Sequence, residues 1–110
     1  MNIRIKENSW IARIAAYKLG AANCAIVIGP NIHLYNATKE QLIHNTPWLR
    51  HEIAHVLQWK KHGFIPFITK YLLYSIRYGY SNNPFEIEAR KAESDLDFLA
   101  RINIDEKNIC

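Results

Sequence analysis

Two histidines and a glutamate carry the strongest chemical signal in this sequence. His51 and His55 are four residues apart in the segment His-Glu-Ile-Ala-His. On a helix, that spacing places both imidazoles on one face, about 6 Å apart along the axis, where both can reach one tetrahedral zinc ion. Glu52 lies next to that face, so its carboxylate could act as a general base towards a metal-bound water without being a ligand. The motif therefore predicts a zinc site that activates water.

Such a site needs a third protein ligand, and the candidates lie in residues 82–90. A carboxylate early on a helix, packed against the motif helix through a small residue such as Ala89, could complete a site of two histidines and one glutamate. Glu86 and Glu88 point about 160° apart on a helix, so at most one of them binds. We favour Glu86, with Glu88 as the second choice. Each has a simpler explanation, because Glu86 could be the capping-box partner of Asn83 and Glu88 a solvated charge.

The segments before the motif favour a small sheet. Alternating apolar and charged residues predict a short strand over 2–6, and Ser9 is a suitable N-cap for a helix over Trp10–Leu19. Two β-branched runs, Cys24–Ile28 and 32–35, flank a turn and predict a hairpin whose second strand is at the sheet edge.

Three helices are expected after the hairpin. Thr46 as the N-cap predicts that the motif helix runs over 47–61. Apolar periodicity predicts a second helix over 66–78 and, after an Asn-Pro start, a third over 84–99. The fold class is therefore expected to be α+β, with residues 1–110 forming a single domain.

The motif and the downstream glutamates resemble those of the gluzincin metallopeptidases, relatives of thermolysin, and the short chain resembles the minimal, minigluzincin form of that fold. The resemblance covers roughly residues 46–93. It implies a zincin-like domain in which the two histidines and a downstream glutamate bind zinc and the motif glutamate is the base. It also implies an edge strand above the cleft, matched here by residues 32–36, that binds the substrate backbone by strand addition.

The residues after the candidate ligand follow the family pattern only in part. In the family, the ligand glutamate is commonly followed by a small residue three positions later and an acidic residue four positions later. Ala89 fits the first of these only if Glu86 is the ligand. Arg90 departs from the second, which in the family supports a ligand histidine, and Glu93 could take over that role.

Tyrosines near the glutamate helix have two interpretations. Tyr78 or Tyr80 could donate a hydrogen bond to a tetrahedral intermediate, as tyrosines do in related peptidases. The alternative is that Tyr71, Tyr74 and Tyr78 form a packing stripe.

Composition excludes several classes of protein. The chain has 110 residues, of which 49% are hydrophobic, with 14 Lys and Arg against 10 Asp and Glu, so it should fold as a globular domain. The longest basic run is Lys60-Lys61, so no stripe follows a phosphate backbone and no nucleic-acid partner is expected. The two cysteines, Cys24 and Cys110, are too few for a disulfide scaffold and predict reduced thiols in a cytoplasmic protein.

The most apolar segment, residues 64–76, is too short for a spanning helix. The wider stretch over residues 64–80 mixes apolar and aromatic residues with two basic ones. Because Lys70 and Arg77 lie seven residues apart, the stretch could form a basic amphipathic helix that makes a peripheral membrane contact. The alternative is that these residues pack into the domain core.

The expected function is that of a zinc-dependent peptidase that cleaves extended peptides, with Glu52 as the base. The alternative is a catalytically inactive or latent zincin-fold interaction module. Latency could come from the tail, residues 102–110, whose Asp105 and Glu106 could approach the metal. A further alternative makes His51 and His55 simple packing residues of an amphipathic helix.

Overall fold

The computed structural model describes residues 2–104 and residue 109. Its three strands are β1 (Arg4–Lys6), β2 (Cys24–Ile28) and β3 (Asn31–Tyr35). In the described residues the helices are α1 (Trp10–Leu19), α2 (Lys39–His44), α3 (Thr46–His62), α4 (Phe64–Tyr78), α5 (Pro84–Glu93) and α6 (Phe98–Arg101). The α+β class expected from the sequence is confirmed.

The sheet has the strand order β1-β3-β2, so β3 is its central strand. β1 pairs with β3 in parallel, and β2 pairs with it antiparallel, with Ile26 opposite His33. The prediction that residues 32–36 form an edge strand is therefore wrong, because β1 occupies the second side of β3. The strand at the sheet edge beside α3 is β2.

The two faces of β3 contact different layers. Ile32 and Leu34 point into the main apolar core, whereas His33 points to the opposite side, as alternation along a strand requires. There His33 Nδ1 lies 2.9 Å from Ser9 Oγ, directly before α1. The main core contains Ile3, Ile32, Leu34, Leu42, Leu49, Ile53, Val56 and Ile104. The sheet thus lies between α1 and α3.

Several helix boundaries differ from those expected. The N-cap of α3 is Asn45, whose side chain accepts a hydrogen bond from Trp48 N, so Thr46 is the first helical residue rather than the cap. α4 begins at Phe64, two residues earlier than expected, directly after Gly63. α5 ends at Glu93 instead of continuing to residue 99, and the short α6 follows a turn. α2 was not predicted.

Small residues bring α3 and α5 together, since Ala54, Ala89 and Ala92 form a buried cluster between them. α4 packs against the same pair through aromatic side chains, with Trp59, Phe67 and Phe85 in contact. The Trp59 indole N–H donates to Val27 O at 3.0 Å, which ties α3 to the edge strand β2. None of the helices in the described ranges has the length and apolarity needed to cross a membrane.

Candidate metal centre

The imidazoles of His51 and His55 meet the carboxylate of Glu86 between α3 and α5. Each Nε2 atom lies 3.2 Å from a Glu86 carboxylate oxygen. The ring centroids of the two histidines are 5.0 Å apart. One potential ligand atom from each of the three residues lies within 4.8 Å of the others. The structure thus brings together the two motif histidines and the favoured glutamate.

The two distances between a histidine and Glu86 suit a zinc ion. Two ligands bound tetrahedrally at about 2.0–2.1 Å from zinc are separated by about 3.3 Å, and the Glu86 oxygens lie 3.2 Å from each Nε2 atom. Glu88 does not join this group; it is exposed, and its carboxylate accepts a hydrogen bond from Gln58 Nε2 at 2.8 Å.

The other nitrogen of each ring already has a partner. His51 Nδ1 donates to Glu93 Oε2 at 2.7 Å, and His55 Nδ1 donates to Gln58 Oε1 at 2.8 Å. An imidazole that is neutral and donates from Nδ1 presents a lone pair at Nε2. Two such lone pairs beside the Glu86 carboxylate repel it unless protons or a cation lie between them. The donor set therefore fits a divalent metal ion.

Backbone contacts fix the position of Glu93. The buried Arg50 of α3 donates from Nε to Ala92 O at 3.2 Å and to Glu93 O at 3.1 Å. A guanidinium at the last carbonyls of a helix also complements the helix dipole. Glu93 thus lies where the sequence had suggested it could replace the acidic residue absent at Arg90, whose own side chain donates to Ser81 O.

The carboxylate of Glu86 is held from α4 as well. Tyr71 Oη donates to Glu86 Oε2 at 2.5 Å. The fully buried Asn83 caps α5 by accepting from Phe85 N at 2.9 Å, and its amide donates to Tyr71 O at 3.0 Å and Ser75 Oγ at 2.9 Å. Asn83 therefore joins the start of α5 to α4, while the Glu86 carboxylate faces the histidines rather than the helix terminus.

Charge and burial shift the titration of this group. Although burial lowers the pKa of His51, its hydrogen bond to Glu86 and the Glu52 charge raise it to about 9. His55 follows the same pattern, because Glu86 outweighs burial and raises its pKa. For Glu86, burial raises the pKa, but hydrogen bonds from both histidines dominate and hold it well below its usual range. These pKa shifts are the ones expected for an ionised Glu86 carboxylate between two protonated histidines.

Glu52 faces a cleft that opens beside the three residues. The cleft has a volume of about 430 Å³. Its lining includes Leu19, Cys24, Ala25, Trp48, His51, Glu52, Tyr80 and Glu93. Burial raises the pKa of Glu52 to about 7, against the opposing effect of His55 and His51. Burial thus favours the protonated form of this carboxyl, which lines the cleft and can exchange a proton with a molecule there.

The two tyrosines considered for an oxyanion contact differ in position. Tyr80 lines the cleft, and burial together with Glu86 raises the pKa of its phenol, which therefore stays a proton donor. Tyr78 packs against Tyr74, with ring centroids 6.1 Å apart, and lies under the Arg77 guanidinium. Tyr71, which was expected only as a packing residue, contacts the candidate ligand itself.

Of the two cysteines and the two acidic tail residues considered from the sequence, Cys24 alone lies within the described residues. Cys24 is a free thiol on β2 at the cleft, and burial raises its pKa. The sequence analysis suggested that Asp105 and Glu106 could approach the metal and predicted a reduced thiol at Cys110. These three residues lie outside the described residues.

Two contacts of the candidate ligands were missed by the sequence analysis: Gln58, which accepts from His55, and Tyr71, which donates to Glu86. Gln58 had a local signal, because it lies three residues after His55 on the same helix face. Tyr71 had none beyond its place in a tyrosine row, since its contact depends on how α4 packs.

Comparison of the chain with protein-family models, with curated proteins and with solved structures finds no match.

Proposed function

We propose that this chain is a zinc-dependent peptidase with a zincin-like fold of the gluzincin type. The observation that carries the proposal is the convergence of His51 Nε2, His55 Nε2 and the Glu86 carboxylate, with both Nδ1 atoms already engaged. These three residues would hold the ion. A bound zinc ion supplies Lewis-acid chemistry, because it polarises a carbonyl group and acidifies water.

Glu52 is the residue to which we assign proton transfer. Its carboxyl lines the cleft beside His51, and its pKa of about 7 suits a group that takes a proton from attacking water and passes it to a leaving amine. Tyr80, which lines the same cleft, is the better placed of the two tyrosines to donate a hydrogen bond to the oxygen of a tetrahedral intermediate.

The position of the edge strand β2 beside the cleft favours an extended peptide as the substrate. Within the described ranges β2 pairs only with β3, and its first residues, Cys24 and Ala25, line the cleft. An extended peptide could add to this edge through backbone hydrogen bonds. The carbonyl of Val27 already accepts from Trp59, so the available stretch is the Cys24 end. This assignment transfers to β2 the role that the resemblance had suggested for residues 32–36.

Metal content is the first test. Protein purified without added metal is analysed for zinc as wild type, Glu86→Gln and Glu88→Gln. The two variants make the same change on the same helix, but only Glu86 contacts the histidines. We expect one zinc per chain in wild type and Glu88→Gln, and loss of zinc in Glu86→Gln. Absence of zinc in the wild type, even after zinc is added, would favour the inactive interaction module instead.

Activity is tested separately with Glu52→Gln. Because Glu52 is not a ligand in the proposal, this variant should keep its zinc while cleavage of a mixed peptide library falls by at least about 100-fold. Wild-type turnover by zinc-loaded Glu52→Gln would end the proposed mechanism. A zinc-loaded wild type that cleaves nothing would favour the module.

A further inference from the structure

α4 presents a row of apolar side chains that no other described element covers. Its buried side carries Phe67, with Tyr71 and Tyr74 half-buried, against α3 and α5. On the outward side we define the outer face of α4 as the exposed residues Ile65, Ile68, Leu72, Leu73 and Ile76. At 100° per residue, four of these five fall within one arc about 80° wide, about 130° from the buried side. The helix is therefore apolar on two separate sides, and only one of them serves the core.

The charged residues on α4 and on the end of α3 that precedes it have one sign. Between Glu52 and Glu86 the sequence contains no aspartate or glutamate, whereas it contains Lys60, Lys61, Lys70 and Arg77. All four basic residues are exposed. Lys70 and Arg77 share a third sector of α4, apart from both the outer face and the buried side. This basic sector borders the outer face only at Leu73, from which Arg77 is about 40° away around the helix axis. Basic side chains at the margin of an exposed apolar face attract anionic lipid headgroups.

A separate apolar groove lies beside the first turn of α4, which contributes Phe64 to its lining. It has a volume of about 310 Å³ and is lined by Gly29, Pro30, Val56, Trp59, Lys60 and Phe64. Lys60 is the one charged residue of this lining. Exposed aromatic side chains, Phe64 and Tyr78, also mark the two ends of α4, where interfacial helices commonly carry them. An apolar groove with a single cation at its rim suits an acyl chain below an anionic headgroup.

From these observations we infer that α4 is an interfacial docking helix, which places its outer face in the headgroup region of an anionic bilayer. Apolar insertion and the four basic residues act together. Tyr80, two residues beyond α4, lines the cleft of the candidate metal centre, so docking through α4 holds that cleft close to the membrane surface. The inference concerns a surface distinct from the metal ligands, and its test needs neither zinc nor turnover.

The test is flotation of the full chain with vesicles of phosphatidylcholine alone or with roughly 30% phosphatidylglycerol. We expect binding to the anionic vesicles, little to the neutral ones, and a decrease in high salt. Ile76→Gln is the variant and Leu96→Gln its control, since both side chains are 83% exposed and only Ile76 belongs to the outer face. Ile76→Gln should weaken binding by about tenfold, and Leu96→Gln should leave it unchanged.

A charge pair completes the design. Lys61→Gln combined with Arg77→Gln should weaken binding by more than about tenfold, whereas Lys91→Gln, on the exposed surface of α5, should not. Circular dichroism checks that each variant is folded. Failure of the wild type to bind anionic vesicles would overturn the inference, as would equal binding by wild type and Ile76→Gln. A concentration-dependent dimer that Ile76→Gln disrupts, without lipid binding, would overturn it in favour of a second copy as the occupant.

Discussion

The two sides of α3 contact different parts of the molecule and serve different purposes. Towards the sheet, it buries Leu49, Ile53 and Val56 in the main core. Towards α5, it places His51 and His55 against the carboxylates of α5. The first side gains free energy by removing apolar surface from water. The second removes ionisable groups from water, which costs free energy unless partners compensate.

On the polar side, hydrogen bonds compensate for the burial of the ionisable groups, and two of these bonds converge on one carboxylate. Among the described residues, no fully buried side-chain nitrogen or oxygen lacks a hydrogen-bond partner. Yet the two Nε2 atoms face the same carboxylate rather than separate acceptors. A network selected only for stability could be replaced by apolar residues of similar volume at little cost. We therefore expect the sheet side of α3 to control stability and its α5 side to control metal affinity.

The largest effect should come from the sheet side. Ile53 is fully buried, so Ile53→Ala should lower the free energy of unfolding by about 2–5 kcal/mol through lost burial and a residual cavity. Urea unfolding of the metal-free protein measures this loss. The exposed Leu96 provides the control, because Leu96→Ala should change the free energy by less than about 0.5 kcal/mol. If folded Ile53→Ala also lost its zinc, the two sides of α3 would not be separable.

The next effect belongs to the polar side. Glu93 accepts from His51 Nδ1 at 2.7 Å, and a carboxylate there fixes the tautomer of the ring and increases its basicity. Glu93→Gln should weaken zinc affinity by about 10–100-fold, as measured by competition with a chromophoric chelator. Glu88→Gln is the matched control, since Glu88 contacts Gln58 and neither histidine. Equal losses in the two variants would show that the charge of α5, not the contact with His51, controls affinity.

Much of the site was readable from local sequence because its signals are local. The spacing of His51 and His55 fixes a shared helix face, whereas Ala89 supports Glu86 over Glu88 only through the family resemblance, whose pattern it fits only if Glu86 is the ligand. The capping box of α2, in which Thr38 and Gln41 bond each other's backbone N–H, was also local and could have been found.

The remaining features depend on contacts between distant segments. β1 pairs with β3 across an intervening helix and strand, and no local pattern selects that partner over β2. The bond from Tyr71 to Glu86 likewise exists only because α4 packs beside α5. Local spacing could therefore indicate His51 and His55 as candidate ligands, whereas the strand order and the contacts to the candidate ligands depend on the tertiary structure.

The smallest predicted effect is a pH dependence that distinguishes the metal-free from the zinc-loaded protein. In the metal-free fold the pKa of His51 is raised from 6.5 to about 9. The folded state therefore binds more protons than the unfolded state between these values. Its stabilising contribution is fully present below pH 6.5 and is lost as the pH rises through about 9. Burial raises the pKa of Glu52 from 4.5 to about 7, so this residue also makes the stability fall as the pH rises between these two values.

Zinc should remove this slope, because a ligand histidine carries no proton at the metal-binding nitrogen. Between pH 7 and 9, the metal-free protein should lose on the order of 1 kcal/mol of unfolding free energy after allowance for solvent screening. The zinc-loaded protein should stay nearly constant over that range in a zinc-buffered solution. Urea midpoints at several pH values, with chelator or with zinc, measure both curves. Parallel curves would mean that zinc does not displace the proton of His51, and the assignment of the polar side of α3 to metal binding would fail.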